Sequence, residues 1–258
     1  MYRYIISDFC LGLADSIRIP TFVPILYHKE FQGITLKICK HNFIMYILPL
    51  LTCHFIWWMF GISLHEIFKL ANYAVNTFSI LFHSVHYFQL TKVLCSLKKS
   101  SNQSYILDKT SLTVTMAIYT VAIYATSVFI DIIINEKYWL LGFFIKFFIL
   151  TIYHSFYCFN NLWEYNNIAM GYRIDMQERL WPYYIGYGTF STIIYFFTDN
   201  PMILFFYNIY MILVISLPFM IKKKYPNLNN PSYPSISLTV FSSLIGVVFR
   251  ISKSLLNF

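Results

Sequence analysis

Charge is what this sequence has least of. Only 19 Lys and Arg and 11 Asp and Glu occur among 258 residues, 12% of the chain, while 58% is hydrophobic and the mean hydropathy is +0.57. A soluble fold covers its surface with about twice that charged fraction. The scarcity excludes an ordinary cytosolic enzyme, a disordered segment and a disulfide-stapled secreted module, because each needs water-facing polarity. Cysteine is sparse as well: Cys10, Cys39, Cys53, Cys95 and Cys158 are odd in number and lack the spacing of zinc or redox pairs. They read as small buried hydrophobes, and no structural disulfide is expected.

Catalytic constellations are missing too. There is no Gly-rich phosphate loop, no nucleophile elbow and no pair of aspartates inside an apolar run. His65-Glu66 opens like a zincin helix, but the place of the second histidine is taken by Lys69. His83 and His86 share a helical face and could hold a metal between them, yet nothing nearby has the spacing to complete a site, and a satisfied polar face is the preferred reading. No catalytic residue, metal or cofactor is expected.

What the chain does have is long charge-free runs. A charge at mid-membrane costs on the order of 3 kcal/mol on insertion scales, so such runs mark spans. They predict an all-α integral membrane protein, a single membrane domain over 1–258, with about six membrane-embedded segments. These are 43–64, 70–91, 111–134, 138–159, 183–198 and 202–221. Pro49 suits a kink in the first. Asp131 and Lys146 fall inside the third and fourth, where each should snorkel or face a partner. The stretch 183–198 is marginal against the roughly 20 residues a crossing needs, so 183–221 stands open between two crossings and a re-entrant hairpin.

Amphipathic helices flank this set. Within 5–18, Ile6, Phe9, Leu13 and Ile17 fall on one face and Asp8 and Asp15 on the other, which suits a helix on the membrane or against other helices. At the far end, 236–256 carries Leu238, Phe241, Ile245 and Val248 at similar spacing. The stretch 160–181 reads as a cytosolic amphipathic connector, with Tyr165, Ile168, Ala169, Tyr172, Met176 and Leu180 on one face and an Asp175–Arg179 pair on its surface. Trp181 suits the membrane interface, and Gly186 and Gly188 allow a neighbouring backbone to approach closely.

The net charge of +8 sits in the gaps between apolar runs, a topology signal and not a nucleic-acid surface. If 70–91 crosses, the amino terminus shares a side with Lys92, Lys98, Lys99, Lys109 and the Lys222–Lys224 run. The other side then receives only Glu66 with Lys69 and Glu136 with Lys137. By the positive-inside rule both termini are cytosolic, and Asn102-Gln103-Ser104 stays unglycosylated.

From Tyr153 to Gly188 the string YHSFYCFNNLWEYNNIAMGYRIDMQERLWPYYIGYG resembles the signature of the etoposide-induced protein 2.4 family of multi-pass endoplasmic-reticulum proteins. The matching positions are Tyr157, Cys158, Phe159, Trp163, Met170, Arg173, Glu178, Arg179, Trp181, Pro182, Tyr183, Tyr184, Gly186 and Gly188. Gly12, Asp15, Ser16 and Ile17 echo the family's amino-terminal pattern, and His65-Glu66 stands where its members usually have Gln-Asp. The longer basic tails of animal members are largely absent. The resemblance implies a non-enzymatic role in autophagy and endoplasmic-reticulum homeostasis, with the lipid bilayer and other autophagy or endoplasmic-reticulum membrane proteins as partners. Through a distant similarity to bacterial sulfate permeases, it also implies the alternative of an anion permease or channel.

Overall fold

The computed structural model describes residues 2–18, 23–61, 82–83, 85–87, 89–94, 96, 138–166, 168–197, 200–221 and 233–236. Among them the chain is helical and contains no strand. In order come α1 (Tyr2–Ser16), the short α2 (Val23–Leu26), α3 (Lys29–Asn42), a π-helical turn over Phe43–Ile47, α4 (Leu48–Phe60), α5 (Trp139–Tyr165), α6 (Met170–Arg179), α7 (Trp181–Tyr195) and α8 (Pro201–Met220). Among the described residues, three stretches are long and apolar enough to cross a membrane: Lys29–Phe60, Trp139–Trp163 and Met202–Met220.

The first of these departs from the expected 43–64. Lys29, Glu30, Lys37 and Lys40 disqualify the earlier half by charge, yet Phe31, Ile34 and Ile38 recur at helical spacing and are buried, so packing extends the helix upstream. Pro49 accounts for the π-helical turn. It has no N–H to give and its ring crowds the preceding turn, so the backbone widens and the Leu48 N–H bonds to the Phe43 carbonyl five residues back. Gly61 then stops the helix at Phe60: with φ at 66° it takes the left-handed conformation, and its N–H returns to the Trp57 carbonyl at 2.8 Å.

Helix α5 runs on to Tyr165 instead of ending at 159, because Leu162 and Trp163 are both buried against the core. The connector expected over 160–181 shrinks accordingly to the turn after α5 and the helix α6. Helix α7 covers 15 residues, about 22 Å at 1.5 Å per residue, so the segment expected over 183–198 falls short of the roughly 30 Å hydrocarbon core. Of the segment 70–91, residues 82–83, 85–87 and 89–91 are helical, and the remainder lies outside the described residues. The segment 111–134 with Asp131, the Asn102 pattern, the Lys222–Lys224 run and all of 236–256 except Ile236 also lie outside them.

Helix α7 is the centre of the packing, and its glycines explain why. Residues two apart on a helix point about 200° away from each other, so Gly186 and Gly188 open opposite sides of α7. Gly186 meets α1 and Gly188 meets α5: a methyl group on the former would lie 2.1 Å from the Phe9 carbonyl oxygen, and one on the latter 1.9 Å from that of Thr151. Backbones thus touch where side chains would ordinarily separate them. Helix α1 consequently turns a different face inward from the one its apolar spacing suggests. Gly12, Asp15 and Ser16 are buried, while Ile6 and Ile17 are exposed. A helix among apolar surroundings keeps its polar groups for protein contacts, the reverse of an amphipathic helix in water.

Helix α8 starts with Asn200 capping the Met202 N–H at 2.9 Å, followed at once by Pro201, whose missing N–H costs nothing in the first turn. Near its end, Pro218 deprives the Val214 carbonyl of its helical donor. The Tyr187 hydroxyl of α7 replaces that donor at 2.7 Å.

Candidate functional site

The signature residues gather where α5, α6 and α7 meet, and most are interior. Cys158, Phe159, Trp163, Pro182, Tyr183, Tyr184, Gly186 and Gly188 are buried, and Tyr157 is half-buried beside them. The Trp163 indole packs against Phe156, Phe159 and Tyr184 with ring centroids 5.4, 5.6 and 5.7 Å away, and Phe159 meets Tyr187 edge-on at 4.8 Å. Edge-on and tilted contacts of this kind place positive ring edges on negative faces and fix relative helix orientation.

Arg173 is the charged member of this interior. It is 9% exposed, its Nε donating to the Ile168 carbonyl at 2.7 Å and a terminal N–H to Asn160 Oδ1 at 2.7 Å. One guanidinium fork therefore ties the start of α6 to the last turns of α5 and to the turn between them. One turn on, Gln177 donates to the Ile152 carbonyl at 3.1 Å and the Ser155 hydroxyl at 3.2 Å. The inward face of α6 is thus Arg173, Met176, Gln177 and Leu180; Tyr172, expected on it, is 70% exposed. Asp175 and Arg179 do pair, at 2.8 Å, but both are substantially exposed and the contact is worth about 0.2–1 kcal/mol. Met170 opens α6, and Glu178 and Trp181 flank its end.

A second set of polar groups went unnoticed in the sequence. His154 of α5 is buried between Thr192 of α7 and Tyr207 of α8, with Nδ1 2.8 Å from the threonine hydroxyl and Nε2 3.0 Å from the phenol. The Thr192 hydroxyl also lies 3.0 Å from the Gly188 carbonyl of its own helix. Through its two ring nitrogens His154 thus bridges α7 and α8. The signal was available: His154, Ser155, Asn160 and Asn161 interrupt an apolar run, and polar residues in such a run face partners.

Helix α1 joins the site through Asp15, whose Oδ2 accepts from the Tyr183 hydroxyl at 3.1 Å while Oδ1 lies 3.3 Å from Arg18. Burial raises the Asp15 carboxyl above the usual carboxylate range, against the lowering effects of the Tyr183 hydroxyl and Arg18. Away from this centre, Phe82 stacks on His41 at 3.7 Å and on His86 at 4.1 Å, with His83 edge-on to His41 at 5.6 Å. Among the described residues no three metal-ligating side chains come together. Lys146 is half-buried on α5, and Cys10, Cys39, Cys53 and Cys158 are free thiols. Cys95 lies outside the described residues.

No protein-family model and no solved structure matches the chain. It is 38% identical over 255 residues to "Uncharacterized protein L211" of Acanthamoeba polyphaga mimivirus, an alignment covering 98% of this chain and 96% of that one. At that identity over nearly the full length of both, the chain belongs to the same family as the mimivirus protein.

Proposed function

We propose that this family member is a non-enzymatic multi-pass protein of the endoplasmic-reticulum membrane, acting as an organiser or adaptor in autophagy and endoplasmic-reticulum homeostasis. The resemblance of 153–188 to the etoposide-induced protein 2.4 signature motivates the cellular role. The observation that carries the molecular role is the use to which that block puts its polar groups. Arg173 holds Asn160 and the Ile168 carbonyl, Gln177 holds Ser155, and His154 holds Thr192 and Tyr207, so each serves to fix one helix against another. An active site instead aims its acid, base and nucleophile at a shared space where a reacting atom can sit.

In this reading about six segments are membrane-embedded and both termini are cytosolic, as the distribution of lysine requires. The bilayer is the immediate partner, other endoplasmic-reticulum or autophagy membrane proteins dock on the cytosolic side, and nucleic acid is not a partner. Cells lacking the protein should show reduced autophagic flux, measured as marker turnover with and without a lysosomal inhibitor. Wild type should restore it, and an equally expressed, correctly located Arg179→Ala, Trp181→Ala, Pro182→Ala variant should not. Unchanged flux in the deletion removes the role. A glycosidase-sensitive mobility shift lost in Asn102→Gln would reverse the orientation.

A further inference from the structure

Helix α3 separates its cations from its apolar residues by face. At about 100° per residue, Lys29, Lys37 and Lys40 fall within about 80° of one another, with Gly33 among them and Leu36 beside them. All five are exposed, Leu36 to 69%, and a methyl group on Gly33 would meet nothing within 4 Å. Phe31, Ile34, Ile38 and Asn42 occupy the opposite side and are buried. Among the described residues no carboxylate pairs with any of the three lysines, and Glu30, the one acid of the helix, stands at the edge of their face. Topology accounts for lysine on one side of a membrane, but not for its confinement to one side of a helix. Helix stability does not account for Lys29 either, since the dipole disfavours a cation in the first turn.

The length of the helix sets the depth of this face. Lys29–Phe60 covers 32 residues, about 48 Å at 1.5 Å per residue, against a hydrocarbon core of about 30 Å, so about 12 residues project. The exposed Trp57 and Trp58 suit one interface, and about 20 residues back from them comes the other, near Ile38. Lys37 and Lys40 flank that boundary, their side chains leaning outward because those of a helix tilt toward its N-terminus. Lys29 stands about two turns farther out. Phe43 and Ile44, exposed next along the helix, turn the same side toward acyl chains. We propose that the Lys29–Lys37–Lys40 face binds the headgroups of anionic phospholipids in the shell around the first long helix. Each lysine near a negatively charged membrane surface contributes about fivefold in affinity, so three on one face select charged headgroups over neutral ones. A compact ammonium on a flexible stem follows headgroups that move, where a planar guanidinium would demand a fixed geometry. The inference rests on the membrane reading and adds to it a lipid class and the residues that select it.

The test titrates the full chain, purified in a neutral detergent, with phosphatidylserine and with phosphatidylcholine of the same acyl chains, and counts bound lipid by native mass spectrometry. Wild type should bind phosphatidylserine about fivefold or more tighter, and the preference should shrink as salt rises from about 0.05 to 0.3 M. A Lys29→Gln, Lys37→Gln, Lys40→Gln variant should lose about tenfold or more of its phosphatidylserine affinity and keep its phosphatidylcholine affinity. The corresponding three Lys→Arg changes should keep both. Gly33→Glu leaves every lysine in place and sets a carboxylate among them where there is room, so it too should weaken phosphatidylserine alone, and it carries the test should the triple Gln variant fail to fold. Equal binding of the two lipids by wild type, a preference untouched by Gly33→Glu and the Gln changes, or a loss shared by the Arg variant overturns the proposal. Release of the chain from membranes by alkaline carbonate would instead overturn the membrane reading beneath it.

Discussion

At Gly12 of α1 and at Gly186 of α7 the backbone of the other helix fills the space that a side chain would need. A methyl group on Gly12 would stand 2.0 Å from the Tyr183 carbonyl oxygen, and one on Gly186 would stand 2.1 Å from that of Phe9. Within a helix, glycine is about 0.5–1 kcal/mol worse than alanine, so two glycines at one crossing are retained against propensity. The contact they permit is backbone on backbone, with no flexible side chain to give way.

The first prediction sets these two effects against each other. Gly12→Ala and Gly186→Ala should each lower stability by about 1–3 kcal/mol, because overpacking against backbone outweighs the propensity gain. Gly33→Ala in α3 and Gly171→Ala in α6, where a methyl group meets nothing within 4 Å, should be neutral or stabilising. Thermal unfolding in detergent distinguishes the pairs. All four behaving alike would show that the close crossing is not a stability determinant.

Pro218 and Tyr187 should be coupled. Tyr187→Phe leaves the buried Val214 carbonyl without a donor and should cost about 1–3 kcal/mol. In a Pro218→Ala background the restored N–H can reach that carbonyl, and the cost of Tyr187→Phe should largely disappear. A double-mutant cycle in unfolding free energy reads the difference directly. Strict additivity would mean that the phenol and the proline are independent.

Asp15 gives a pH dependence with a definite sign. Its carboxyl, ordinarily near 3.8, is raised in the folded protein chiefly by burial, so the folded state holds the proton more tightly than the unfolded one. The stability this group contributes is complete below its ordinary value and is lost as pH rises through the raised folded value. Asp15→Asn keeps an acceptor for the Tyr183 hydroxyl and removes the titration. Wild type should therefore lose stability relative to the Asn variant between acid and neutral pH, seen as falling hydrogen-exchange protection of α1 amides. Parallel pH profiles for the two proteins would contradict the buried placement.

Hydropathy was enough to read a helical chain with helices long and apolar enough to cross a membrane, because scarcity of charge is a property of the whole chain. Two boundaries and one helix face were harder, since they depend on packing that the local pattern does not report. Lys29–Asn42 joins the first long helix through the buried Phe31, Ile34 and Ile38, although its lysines disqualify it by charge. Helix α5 outlasts its apolar run because Trp163 has a pocket of aromatic rings to enter. The inner face of α1 is set by Gly12 and its counterpart far along the chain, which no local periodicity reports. Gly186 and Gly188 were legible as sites of close approach, because absence of a side chain is itself the signal. The Ile236 N–H bond to the Glu178 carbonyl was not legible, because it joins residues far apart in the chain.

The central claim is that the polar groups of the signature block hold helices together and do not line a path for solute. Reconstitution tests this most directly, with purified protein in liposomes and efflux of labelled sulfate and of chloride followed against empty vesicles. The account predicts rates equal to those of empty liposomes, unchanged in Arg173→Gln. Anion flux well above that baseline, abolished by Arg173→Gln in a variant that still folds, would contradict it and make the chain a permease.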